Sequence, residues 1–571
     1  MNDLTFAGQA ESRQRFYYLH NFEFALQWLA DRYDDLWIDD ERAFLIAFPT
    51  LPLASRALLV RMLMRTGPLF RVSALGYDEI GSPTDAVSPL NALGWVDPDP
   101  ALTIDKIFRL HTVRELANIF PDAFGTTKLR KSELLETLRS RLQTACTYLH
   151  WWPGSNDQVV RVNVASLCDR LRLMFFGNLR QTWSEFVVSD LGIIRYQHVP
   201  LQPSSRAFQS RKDIESFLTI HACREYLETC DAIDSTEHTA SLEAMIQVIE
   251  ALPCGQGWID ARQQKLLFRI GQHFERRRNW NAALACYGNC RFPGSRHRRM
   301  RVLELFGRHQ EAHDLALQAQ ADPESEEEAQ RAGRMLPRLR RQLGLSVKVM
   351  RRPDPVKRID LILPRPAEPT PVEMIVCNAL SEPGTTVHYV ENALINSLFG
   401  LLCWDAIFAP LPGAFFHPFQ RGPADLHSPC FYATRREEFT RCLERLNNGG
   451  YVNAIRQTFQ TKTGVASPFV HWRLLTNEVL EAALRCIPAA HLKKWFVRLA
   501  QDVRLNRTGF PDLIRFWPAE GRYEMIEVKG PGDRLQDNQI RWLAYCVEHG
   551  MPVRVVHVQW SQESFELMTQ S

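Results

Sequence analysis

Asp512, Glu527 and Lys529 are the residues in this chain whose types and spacing could do chemistry. They stand in GFPDLIRFWPAEGRYEMIEVKGPGDRLQDNQIRWL, which runs from Gly509 to Leu543. Two apolar runs, Leu513–Trp517 and Tyr523–Val528, flank a Pro-Ala-Glu-Gly turn and read as a β-hairpin. Alternation along the second strand sends Glu527 and Lys529 to one face and Ile526 and Val528 to the other. Asp512 enters the first strand across the hairpin from Glu527, so two carboxylates and an ammonium converge. Phosphodiester cleavage uses such a set. A hard divalent cation takes carboxylate, carbonyl and water oxygens and neutralises charge on both the attacking water and the leaving oxygen. Asp512, Glu527 and the carbonyl of Val528 are the expected ligands for Mg²⁺ or Mn²⁺, with two ions anticipated. Lys529 would orient the attacking water or stabilise charge developing on the phosphate. The glycines of KGPGDRL allow close backbone approach to a phosphate. Gln539, on the following helix, could reach back towards a metal-bound water or DNA.

The elements that must hold this set are strand, turn, strand, the helix GDRLQDNQIRWLAYCVEHG and the strand VRVVHV, the order of an α/β unit. A Pro-Asp pair is common, and Glu-x-Lys on an exposed strand is ordinarily solvated surface. Here the strand around Glu527 is otherwise apolar, which puts the charges at the edge of a core, where perturbed groups tend to be functional.

The rest of the chain is read as helical. At 571 residues it is too long for one core, and 45% hydrophobic with 23% charged residues places it among soluble globular proteins. The net charge of +3 neither demands nor excludes nucleic acid. The distribution is more informative: FERRRNW, RHRRMR, RLRRQL and VMRRPDPVKR cluster arginine between Phe274 and Arg358. Thirteen scattered cysteines indicate a reduced compartment. No signal peptide is evident, and ALINSLFGLLCWDAIFAPLPGAFF reads as a buried helix and loop rather than a membrane span. The expected location is cytoplasmic, associated with the nucleoid.

LHTVRELANIFPDAFGTTKLRKSELLETLRSRL reads as a helix started by Thr112, a loop at Gly125 and a basic second helix. It resembles a SAP module, a small DNA-binding unit, and points to Lys128, Arg130 and Lys131 as phosphate contacts. Gly271, Phe274, Ala283 and Tyr287 resemble a tetratricopeptide (TPR) repeat. Cys286, Cys290 and His297 lack a fourth ligand at the usual spacing and are read as packing, not zinc. RRPDPVKRIDLILPRPAEPTPV reads as a proline-rich connection. The expected division is a helical domain over residues 1–105, a SAP-like module over 106–145, a helical linker over 146–225, TPR-like repeats over 226–370 and a nuclease domain over 371–571. The fold class is mainly α with a C-terminal α/β nuclease domain.

Pro511-Asp512 with Glu527-Val528-Lys529 resembles the P-D…E-x-K nuclease core, and the glycine-proline loop, R-L-x-x-x-Q-x-x-W-L and final strand resemble a VRR-Nuc domain. With a SAP-like module and helical repeats ahead of it, the whole chain resembles the Fanconi-associated nuclease family in a bacterial form. The resemblance implies a structure-selective, metal-dependent DNA endonuclease and 5′-exonuclease acting on 5′ flap or branched DNA in interstrand cross-link repair. It also implies a further metal-binding glutamate on a helix shortly before GLLCWD. Glu391 holds that offset, while spacing alone leaves Glu373 as a competitor. Asp405, within GLLCWD, is read as a structural hydrogen-bond partner. The family's Arg-Gly-Leu before Pro-Asp is here Thr508-Gly509-Phe510, with Arg507 one place earlier as the residue to guide the phosphate. Two other classes compete: a non-catalytic DNA-binding scaffold, and a Holliday-junction resolvase or restriction-type nuclease, since one core serves several activities.

Overall fold

The computed structural model describes residues 15–124, 130–183, 194–232, 239–253, 257–346 and 356–561. The chain forms two compact units. One is Met1–Ile194 with Gln202–Arg211; the other is Arg195–Leu201 with Lys212–Ser571.

In the first unit the amphipathic runs form the helices Tyr17–Tyr33, Asp39–Ala47 and Leu53–Leu63. The buried carboxylate of Glu41 ties them to later chain by accepting from Arg170 (2.6 Å) and Arg211 (2.7 Å). The sequence reading did not anticipate a small antiparallel sheet in the order β1 (Leu69–Arg71), β3 (Val159–Val162), β2 (Val96–Asp97). Strands this short carry too few residues for a period-2 signal.

Between β2 and β3 lie the helices Ile104–Leu110, Val113–Ile119 and Lys131–Arg139. Thr112 caps the second of these in a capping box with Glu115. Leu102, Ile104, Phe108, Leu116, Leu134, Leu138 and Tyr148 share its core. Lys131 donates its ammonium to the carbonyl of His111 at 2.7 Å, so it docks the basic helix on the preceding turn. Arg130 is exposed at that helix's N-cap. Lys128 and the loop at Gly125 lie outside the described residues.

The second unit begins with helices from Arg211–Ala232 to Glu326–Gln342. The TPR-like signature has a packing basis: a Cβ on Gly271 would stand 2.7 Å from Tyr287 Cε1. Cys286 and Cys290 are buried in this core, and burial pushes the Cys286 thiol up to about 12.

The second unit ends in a five-stranded mixed sheet of order β4-β8-β7-β6-β5. β6 (Leu513–Trp517) and β7 (Arg522–Lys529) are the expected hairpin, in register from Leu513↔Ile526 to Trp517↔Arg522. The helix Asp537–Glu548 carries the chain back to β8 (Val553–Trp560), parallel to β7. Two strands correct the sequence reading. Lys357–Leu363, taken for part of a proline-rich connection, is β4 and pairs in parallel with β8. Thr386–Tyr389 is β5, antiparallel to β6, where only helix was expected. Both are edge strands and partly solvated, and β4 is also flanked by prolines, so neither shows a continuous apolar run.

One sheet face packs Leu513, Ile526, Val528, Val556 and Val558 against Val376. The other packs Ile514, Phe516, Tyr523, Met525, Val553 and Val555 into the largest core of the molecule. That core includes the helix Leu394–Leu402, buried along its whole length. No helix among the described residues is long and apolar enough to cross a membrane. Gly400 lets this helix approach its neighbour: a Cβ there would lie 2.7 Å from Phe469 Cβ and 3.0 Å from Val470 Cγ2. Gly400→Ala is expected to destabilise the second unit by about 1–3 kcal/mol, as overpacking does in tight cores, read as a lower midpoint in thermal or denaturant unfolding.

Candidate active site

β6 and β7 stop pairing at Leu513↔Ile526. Beyond that pair the strand ends splay, and the gap is filled by Asp512, whose Oδ2 accepts from the Val528 N–H at 2.8 Å. Amide and carbonyl of one strand residue point to the same side, so the Val528 carbonyl also faces Asp512. Glu527 is fully buried and Asp512 and Lys529 nearly so. The Lys529 ammonium lies 2.8 Å from Glu527 Oε1. Neither Glu527 oxygen receives a well-directed hydrogen bond, although both are sealed from solvent. A buried carboxylate with unsatisfied oxygens is costly, and a bound cation is what such an oxygen pair fits. Burial pushes the carboxyl pKa of Asp512 up to about 6 and that of Glu527 up to about 7. The Asp512 charge adds to the upward push on Glu527, and Lys529 pulls both carboxyls the other way.

Glu391 reaches the pair by a route other than the helix expected of it. It lies on the turn between β5 and the helix Leu394–Leu402, and the ladder brings it in, since the Val390 N–H donates to the Asp512 carbonyl at 2.8 Å. Its side chain is exposed, accepting from the Tyr389 hydroxyl (2.6 Å) and Asn392 Nδ2 (3.1 Å). Its charge adds to the upward push on both Asp512 and Glu527. Glu373, half-buried in the first turn of the helix Val372–Ala379, bears on Asp512 in the same sense. Both glutamates therefore border the site.

Sequence reasoning missed Asn392. Its Oδ1 accepts from the Gly509 N–H (2.8 Å) and the Phe510 N–H (3.2 Å), while its Nδ2 holds Glu391. One amide thus joins the entry of β6 to the third carboxylate. Its backbone is left-handed, with φ 51, a conformation asparagine tolerates better than most residues. Asn396 adds a second tie, donating to the carbonyls of Asn392 (2.7 Å) and Arg507 (2.8 Å). The sequence signal was an asparagine directly after the glutamate in VENAL, at a strand-to-helix junction. Gly509, with φ +98, runs so close to the next helix that a Cβ would meet the Asn538 backbone at 2.9 Å. Phe510 stacks on Trp542 with ring centroids 4.0 Å apart.

The remaining candidates take other parts. Gln539 turns back to accept from the Gln536 N–H at 2.9 Å and caps its own helix. Arg507, half-buried, donates to the Pro468 carbonyl at 3.1 Å. Asp405 is exposed, not an internal partner. Among the described residues no three His, Cys, Asp or Glu side chains form a ready-made metal cage. The site is instead an open one, with Asp512, Glu527 and the Val528 carbonyl inside and Glu391 at the rim.

Three family models match the chain: the VRR-NUC domain over residues 446–560, the FAN1 HTH domain over 16–97, and the Fanconi anemia-associated nuclease SAP domain over 101–151. The chain is 49% identical over 545 residues to a Fanconi-associated nuclease 1 homolog of Pseudomonas aeruginosa, covering 95% of this chain and 96% of that protein. It is 28% identical to the Arabidopsis thaliana homolog, over 95% of this chain and 67% of that one. A crystal structure of paFAN1 bound to 2-nucleotide 5′ flap DNA with a gap is similar with a TM-score of 0.85 at 49% identity, covering 96% of this chain and 98% of that one. A second, with a 1-nucleotide 5′ flap, gives 0.84.

Two outcomes follow from the geometry. The raised pKa of Glu527 means that the metal-free folded chain holds this proton more tightly than the unfolded chain. Its contribution to stability is present in acid and lost as pH rises from the ordinary carboxylate range, roughly 4, towards neutrality. Glu527→Gln should accordingly raise the metal-free melting temperature at neutral pH by roughly 2–4 °C and abolish any rise produced by added divalent cation. Asn392→Gly keeps the left-handed backbone but removes the amide. It should weaken divalent-cation affinity by about 10–100-fold, as loss of an outer-shell partner does, measured by calorimetry, with a melting temperature lowered by roughly 2–4 °C because the Gly509 and Phe510 N–H groups lose their acceptor.

Proposed function

The chain belongs to the Fanconi-associated nuclease family, and we propose that it cuts 5′ flap and related branched DNA by phosphodiester hydrolysis and removes 5′ ends stepwise. The observation that carries this reading is the pair Asp512–Glu527, buried side by side with Lys529 at the end of the hairpin, in a chain so similar to one crystallised on 5′ flap DNA. An inert scaffold would have no reason to keep two desolvated like charges together. Nucleases of the VRR-NUC type depend on divalent metal, and we take the ions here to be two Mg²⁺ or Mn²⁺. Bound divalent cations would supply charge neutralisation on the scissile phosphate and a water of lowered pKa. Asp512, Glu527, the Val528 carbonyl and Glu391 are the residues to hold them. The donor set is all oxygen, as hard cations prefer.

Lys529 acts next to the ligands. Its compact ammonium, fixed by Glu527, can orient the attacking water in line with the bond to the leaving oxygen and stabilise negative charge as it develops on the phosphate. The neighbouring Gly530 keeps the backbone slim where a phosphate must approach, with its own N–H turned to Asp533 Oδ2 at 3.0 Å. Arg130 and Arg507 remain candidate phosphate contacts, whereas the ammonium of Lys131 is already committed to His111. The physiological setting that this activity fits is repair of interstrand cross-links in a bacterial nucleoid.

Asp512→Ala and Glu527→Ala are expected to reduce cleavage by several orders of magnitude while DNA affinity stays near the original value. The check is labelled 5′ flap, 3′ flap, four-way junction and plain duplex, each with and without Mg²⁺ or Mn²⁺. Substantial residual cutting by Asp512→Ala, or equal cutting of all four substrates, contradicts the reading. Lys529→Ala should keep cation binding and lose turnover, and Lys529→Arg should rescue poorly because a planar guanidinium does not replace a point charge. Loss of cation binding in Lys529→Ala as complete as in Glu527→Ala would refute its water-orienting role.

A further inference from the structure

We propose that an arginine cleft on the helical repeats binds the sugar-phosphate backbone of unpaired DNA, as a site separate from the carboxylates. The cleft lies in the second unit, where the helix Gly257–Arg276 turns into Trp280–Asn289 and both meet Ser295–Leu305. It has a volume of about 610 Å³ and is lined by Gln272, Arg276, Arg278, Trp280, Arg298 and Arg301 around Glu275. The charges there do not balance. Glu275, nearly buried, accepts from the Tyr287 hydroxyl (2.8 Å) and serves both Arg298 (3.3 Å) and Arg301 (3.4 Å). One carboxylate thus fixes two guanidiniums. Arg276 shares Asp231 with His273. Exposed Arg278 has no ion-pair partner among the described residues.

The backbone gives a second, independent observation. Arg278 adopts φ 58, in the left-handed region that favours glycine. Among the described residues, the only other non-glycine with positive φ is Asn392, the clamp of the carboxylate site. Strained positions of this kind concentrate where a side chain is needed for function. At the end of a helix glycine would serve the fold better, yet the chain places a guanidinium there.

The occupant favoured is a single strand of DNA. Guanidiniums match phosphate geometry, and half-buried Trp280 lines the cleft, where an unpaired base, unlike a paired one, could stack on it. Gln272 and Arg298 also line a second cavity of about 510 Å³, which reaches Arg504, Leu505 and Asn506 in the segment ahead of the hairpin. Its wall carries Glu324, Glu326, Glu327, Glu328 and Asp502 beside its arginines, so the excess of guanidinium is confined to the first cleft. The proposal rests on the flap-nuclease reading above and adds to it where the unpaired strand goes.

The test compares 5′ flap DNA bearing a one-nucleotide flap with DNA bearing a long oligo-thymidine flap, using fluorescence anisotropy across a salt series and cleavage in Mg²⁺. The triple variant Arg276→Ala, Arg278→Gly, Arg301→Ala should bind the long flap at least tenfold more weakly. Its slope of log K against log salt should fall by about 2, at about 0.7 per single-strand phosphate. Binding and cutting of the one-nucleotide flap should be unchanged. Arg278→Gly alone should lower the slope by about 0.7 with an equal or higher melting temperature, since glycine suits the backbone; this separates lost binding from lost folding. Unchanged long-flap affinity in Arg278→Gly and the triple variant, or equal losses on both flaps, would overturn the site while leaving the nuclease reading standing. Failure of the unmodified chain to bind or cut either substrate would bring down the nuclease reading, and the cleft with it.

Discussion

Glu527 sits with no exposed surface beside a second, almost buried carboxylate, and two like charges in a low-dielectric setting repel one another strongly. A fold can hold such a pair only if the surroundings fix it from several directions. Here β7 holds Glu527 against Val555 of β8, the Val528 amide grips Asp512, and the Lys529 ammonium stands against Glu527. Behind them the largest apolar core of the chain, from Val390 to Val555, supplies the free energy that the charged edge withholds. The site is therefore a costly corner of a stable structure, one that a bound cation would relieve.

Much of this was legible in the sequence. Alternation placed Glu527 and Lys529 on one face, the Pro-Ala-Glu-Gly turn set the register, and the apolar run around Glu527 announced that its charge was out of water. These features are local, within a few residues of one another. What escaped was non-local. β4 and β5 are recruited by pairing with β8 and β6, and their own residues, short or half exposed, carry no clear strand signal. Glu391 stands on a turn rather than a helix because β5 delivers it. The Asn392 clamp depends on meeting Gly509 and Phe510, far along the chain.

Charge shows the same division between sum and arrangement. A net charge of +3 over 571 residues says little about a partner. Resolved into positions, many arginines are structural. Arg334 and Arg498, for instance, pair with Asp537 and Glu326 and fasten the helix Glu326–Gln342 to the nuclease core. Others, such as Arg278, are left facing outwards. Only the structure separates the arginines that build the molecule from those that remain available to a polyanion.

The order β4-β8-β7-β6-β5 has a consequence for how this enzyme can be inherited or rebuilt. The VRR-NUC match covers residues 446–560, yet both outer strands, and the glutamate at the rim, come from 357–391. A segment cut at the matched boundaries would carry Asp512, Glu527 and Lys529 but leave β6 and β8 with raw hydrogen-bonding edges, an invitation to pair with other chains. It would also forfeit the helix Leu394–Leu402 from the centre of its core. The smallest transferable cassette is thus longer than the recognisable motif, and a gene fusion that moved only the matched block would deliver the reagents without the vessel.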